Sequence, residues 1–146
     1  MVCISSSQIK FGRYLAYESE NCNIQVDIFS QNYEGQIHAH ETWGALGIVS
    51  GNFIIRDYVN ESNKILKIRT NFVSRGSVSY FPQISDIHSL ESLKGTQGVS
   101  VHVYGKDFDI NNGIKYSKKT CQWETYTRSA LGDFREIESN FKFLEM

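Results

Sequence analysis

Residues 36–51 read QIHAHETWGALGIVSG. Two histidines stand one residue apart there, ahead of an apolar run that closes on glycine. In an extended strand successive side chains alternate between faces, so His38 and His40 project to the same side. The run 43–49, the turn Ser50-Gly51-Asn52 and the run 53–58 predict two strands joined by a tight turn. The chain has four histidines in all. The other two are His88, six residues beyond the only proline, Pro82, and His102, in the alternating row Ser100, His102, Tyr104. One wall of a β-structure can then carry a metal and another a polar relay.

Further along the chain, residues 23–29 alternate with Ile24, Val26 and Ile28 on one face, and 64–72, 77–81 and 99–104 predict further strands. Residues 113–126 supply two more. Short strands at this density, with 11 glycines and abundant Tyr, Phe, Val and Ile, predict an all-β sandwich or barrel. After Ser129 the pattern changes. Phe134, Ile137, Phe141 and Leu144 recur at helical spacing, which predicts one C-terminal amphipathic helix over about residues 130–145. A chain of 146 residues is expected to form a single domain, residues 1–146, with its barrel over about 8–127.

Fifteen basic and sixteen acidic residues leave a net charge of −1. No basic field points to nucleic acid, and no charge block points to a membrane surface. No apolar run is long enough to span a bilayer and no leader pattern opens the chain, so a cytoplasmic protein, with a homodimer as one assembly, is expected. Cys3, Cys22 and Cys121 are odd in number and far apart, which argues against both a disulfide framework and a thiolate zinc site.

Neutral imidazoles suit iron, copper, zinc or nickel, and three of them leave coordination positions open. The blander reading of a strand histidine is a satisfied polar group. Glu41 falls on the opposite face from His40, and Gly44 and Ala45 offer no donor atoms. Asp86 shares parity with His88 and is either a fourth ligand or a turn residue. A dication held by three neutral ligands keeps its full charge, which favours an anionic partner such as a thiolate.

The segments QIHAHETWGALGIVSG, DIHSLES and GVSVHVYGKDF, in this order, resemble the thiol dioxygenases of the cupin superfamily, the cysteine and 3-mercaptopropionate enzymes, over about residues 11–108. The resemblance implies a double-stranded β-helix and a ferrous iron, Fe(II), held by His38, His40 and His88. It also implies a Ser100–His102–Tyr104 row beside the site. Arg13, in FGRYLAYES, matches the arginine that grips the substrate carboxylate in cysteine-specific members; spacing alone equally allows a surface arginine paired with Glu18 or Glu20. Tyr104 likewise reads either as core or as a phenol that donates to substrate. The H-x-H-x-T-W-G string is closer to the mercaptopropionate branch. Ala45 stands where the animal enzymes have a cysteine crosslinked to tyrosine, so no crosslink is expected.

Arg13 near the chain start and Ala39 in place of the usual Asp imply a divergent, N-terminally shortened member. The expected activity is oxidation of a small thiol, cysteine or a related mercapto-carboxylate, by O2 to a sulfinic acid. The alternatives are a three-histidine metal enzyme for another oxidation, cyclisation or isomerisation, and a non-catalytic ligand-binding cupin.

Overall fold

A computed structural model describes residues 11–62, 64–82, 86–105, 113–126 and 132–133. In chain order the strands are β1 (Gly12–Ser19), β2 (Cys22–Phe29), β3 (His38–His40), β4 (Gly44–Ser50), β5 (Asn52–Glu61) and β6 (Lys64–Ser74). They continue with β7 (Val78–Phe81), β8 (Ile87–Ser92), β9 (Gly98–Tyr104), β10 (Gly113–Ser117), β11 (Gln122–Tyr126) and β12 (Gly132–Asp133). They form two six-stranded sheets, ordered β12-β1-β2-β9-β4-β7 and β11-β10-β3-β8-β5-β6. The two-sheet, all-β architecture expected from the alternating pattern is present. No helix occurs among the described residues. The helix expected over residues 130–145 lies outside them except at Gly132–Asp133, which is strand and pairs parallel with β1 through Tyr14↔Gly132 and Leu15↔Asp133.

The turn between β4 and β5 depends on Gly51. Its φ is +86°, and a Cβ there would stand 2.5 Å from the Gln97 carbonyl oxygen. Only glycine takes that conformation without strain while letting the backbone pass so close. β5 and β6 then run together as a long hairpin, with a register shift at Asp57/Tyr58.

Between the sheets, Phe29, Leu46, Ile48, Phe53, Ile55, Phe81 and Leu90 form the apolar core. Burying each such side chain stabilises the fold by roughly 1.5–3 kcal/mol. The pleat of β2 places Asn23, Gln25 and Asp27 on the same inner side as Phe29, at 0%, 0% and 7% exposure. The face carrying Ile24, Val26 and Ile28 is therefore the outer one. Cross-strand neighbours extend this polar inner wall: Asn23 opposes Tyr104, Gln25 opposes His102 and Asp27 opposes Ser100. The interior is apolar toward Phe29 and Phe53 and polar toward Tyr104. Such an inversion calls for hydrogen-bond partners among the buried groups: Gln25 Nε2 donates to Asn23 Oδ1 on the same strand, whereas Gln25 Oε1 and Asp27 Oδ1 have no hydrogen-bond partner.

Candidate metal centre

His38 and His40 lie on β3, and His88 lies on β8 directly across from His38 in the ladder. Alternation puts the β3 pair on one side, and the antiparallel register brings the third histidine to it. One ring nitrogen from each lies within 4.8 Å of the other two, a spread that closes when all three share one ion. Ring centroids are 4.8 Å apart for His38–His40, 4.4 Å for His38–His88 and 5.2 Å for His40–His88.

The outward nitrogens are already committed. His38 Nδ1 is 2.9 Å from the Gln36 carbonyl oxygen and His88 Nδ1 is 3.1 Å from that of Asp86. A carbonyl only accepts, so both Nδ1 atoms carry the proton and both Nε2 atoms present a lone pair inward. Fixing the tautomer and ring plane in this way is what metal-ligating histidines require of their surroundings. The donor set therefore fits a divalent transition metal. Asp86 contributes its backbone carbonyl and is absent from the ligand cluster, so it serves as a support rather than as a fourth ligand. Phe81 stacks on His88, with centroids 4.1 Å apart and planes at 9°.

The opposite sheet carries the polar row. Ser100 Oγ is 2.7 Å from His102 Nε2, and His102 Nδ1 is 3.1 Å from Tyr104 Oη. Asp27 Oδ2 lies 3.7 Å from the same Nε2. That carboxylate favours a proton on Nε2, so Nε2–H donates to Ser100 and the Tyr104 hydroxyl donates to Nδ1. The Tyr104 ring lies 4.6 Å from that of His40, which ties the row to the histidine cluster. Gly44, opposite Tyr104 in the ladder, makes this placement possible. A Cβ there would stand 2.9 Å from two ring carbons. Ala45 pairs with Val103 instead and faces away, so the position beside the phenol belongs to Gly44.

Arg13 opposes Asp27 across β1 and β2, with Nε 3.4 Å from Oδ1. Its partner is thus Asp27, not Glu18 or Glu20. A cavity of about 40 Å³ is enclosed by Arg13, Asp27, His38, His88, His102 and Tyr104, among others. It has room for roughly three water-sized groups. Tyr33 also lines it; burial first, then the nearby Asp27 carboxylate, pushes its phenol pKa up. A larger hollow, about 800 Å³, lies between β5, β6 and β7 near Asp57, Ile68, Arg69 and Tyr80, and no histidine lines it. The polar groups converge on the small cavity instead. Sequence reasoning passed over Asn23, Gln25, Asp27 and Tyr33. The first three were detectable as i, i+2, i+4 polar residues on a strand whose other face is Ile24, Val26 and Ile28.

No family model and no curated protein matches the chain. Solved structures do match in fold. The cupin domain of Schizosaccharomyces pombe Cnp3 superposes with a TM-score of 0.56 at 11% identity, over 73% of this chain and 70% of that one. An RmlC-like cupin from Shewanella frigidimarina gives 0.52 at 14%, over 70% and 88%. The fold is a cupin. DMSP lyase DddQ from Ruegeria pomeroyi, with a TM-score of 0.54 at 12% identity over 73% of this chain and 52% of that one, shares it. In this fold the three-histidine cluster is compatible with a metal site. Among the described residues no helix is long and apolar enough to cross a membrane.

Proposed function

We propose that this cupin is a mononuclear non-haem iron enzyme that oxidises a small thiol with O2 to a sulfinic acid. The observation that carries the reading is the Ser100–His102–Tyr104 hydrogen-bonded chain meeting the three-histidine cluster across a cavity of about 40 Å³. The overall change is RSH + O2 → RSO2H: both oxygen atoms pass to sulfur, which loses four electrons, and the proton is retained by the sulfinic acid. His38, His40 and His88 would hold Fe(II), which when bound lets a thiolate and triplet dioxygen react.

The chain's own residues have distinct tasks. Three neutral imidazoles, joined by no carboxylate among the described residues, would leave the charge of a bound dication uncompensated, which favours a thiolate over a neutral ligand. The Tyr104 hydroxyl, oriented through His102 and Ser100, holds the proton at Nδ1 and can return it to the product oxygen. Arg13, with Asp27, faces the substrate's far end. Phe29, Leu46 and Phe81 wall the cavity and exclude bulk water.

The test is oxygen uptake by the iron-loaded protein with a panel of small thiols, with sulfinate measured by mass spectrometry. Uptake and sulfinate in equal amounts are expected. An absence of uptake with every thiol at full iron occupancy overturns the reading.

A further inference from the structure

Asp27 occupies an uncommon place. Its carboxylate is 10% exposed and lies in a row that runs Arg13↔Asp27↔Ser100 across three strands. Arg13 Nε approaches Asp27 Oδ1 at 3.4 Å, yet neither atom has a hydrogen-bond partner. The contact is an ion pair without the directed bonds that usually accompany a buried carboxylate. Both residues line the small cavity. An unopposed guanidinium there would be a receptor for a carboxylate. With Asp27 against it the pair is neutral overall, and an incoming carboxylate meets a like charge beside the very group that would bind it. Asp27 itself is an acceptor, and a donor is what completes it.

We propose that Asp27 is the specificity-determining residue of this site and selects thiols whose far end is a hydrogen-bond donor, hydroxyl or ammonium, against those that end in carboxylate. The inference rests on the thiol reading above. It places Arg13 as the counter-charge beside the buried Asp27 carboxylate rather than as the substrate's own clamp.

Three thiols that share a two-methylene spacer and differ at the far end supply the test: 2-mercaptoethanol, 2-aminoethanethiol and 3-mercaptopropionate. Binding is measured by calorimetry under argon on the zinc-loaded full chain, since zinc accepts a thiolate without turnover. The wild-type protein is expected to bind the two donor-ended thiols about tenfold or more tighter than 3-mercaptopropionate. In the near-isosteric Asp27→Asn variant 3-mercaptopropionate is expected to gain about tenfold and the donor-ended thiols to weaken. Arg13→Gln, which leaves Asp27 unopposed, should separate the two donors by favouring 2-aminoethanethiol over 2-mercaptoethanol, and it tests the proposal even where Asp27→Asn fails to fold. A wild-type preference for 3-mercaptopropionate, or one order of affinities in wild type and variants alike, overturns the proposal. If no thiol binds at full zinc occupancy, the thiol reading fails and this inference fails with it.

Discussion

Tyr104 is held from three sides: His102 accepts its proton at 3.1 Å, the His40 ring lies 4.6 Å away, and Gly44 leaves it room. The third constraint is the most easily tested. Gly44→Ala puts a methyl 2.9 Å from two ring carbons of a side chain that is 4% exposed, so the ring must move or the strands must part. Overpacking of this kind costs about 1–3 kcal/mol. The variant should lose that much unfolding free energy in urea, keep its metal, and lose most of its thiol-dependent oxygen uptake as Tyr104 leaves its place. Retention of full turnover would show that the phenol's position is immaterial. The row of Ser100, His102 and Tyr104 was legible from its alternation alone, because the pleat fixes which side chains share a face. The inward side of Asp27 was detectable in the same way, but its pairing with Arg13 and Ser100 was not, because these lie on neighbouring strands and non-local register is invisible in a run of residues.

Strand pairing also carries a pH-sensitive clamp outside the site. On β5 and β8, Arg56 meets Glu91 through two contacts, Nη2–Oε1 at 2.7 Å and Nη1 to Oε2, in the forked geometry that suits a carboxylate. That hydrogen bond, opposed by burial and aided by the guanidinium's charge, lowers the Glu91 pKa below its ordinary value of 4.5. A depressed carboxyl pKa means that the unfolded chain takes up the proton first. The clamp's stabilisation is therefore complete above the ordinary value and is lost as pH falls through the folded one. Side-chain exposures of 24% and 28% keep the effect to about 1 kcal/mol or less after solvent screening. Arg56→Met should thus lower the thermal midpoint at pH 7 slightly and flatten the wild type's loss of stability below about pH 4.5, as followed by circular dichroism. An unchanged acid profile would mean that the pair contributes nothing to folding.

At the scale of the molecule, the two sheets make separate contributions: β3 and β8 bring the three histidines, while β2 and β9 bring the acid and the hydrogen-bonded row. The strand pattern and the H-x-H spacing made the first sheet's contribution readable. The second was readable only in part, since the residues facing inward on β2 are the polar ones and an apolar-face search selects the opposite side. The division predicts that the metal ties β3 to β8, which otherwise meet at the single register pair His38↔His88. Anything that binds only the folded state stabilises it by RT ln(1 + [L]/Kd), about 2.7 kcal/mol at a hundredfold excess over Kd. For a chain of this size that raises the melting temperature by roughly 5–11 °C. Scanning calorimetry of metal-stripped protein should therefore show this rise on adding Fe(II) anaerobically, or zinc in air. His38→Gln, chosen because His38 is the least buried of the three, should abolish the rise while leaving the metal-free transition within about 2 °C of wild type, as expected for a partly exposed substitution. A variant that kept the full rise would place the ion elsewhere.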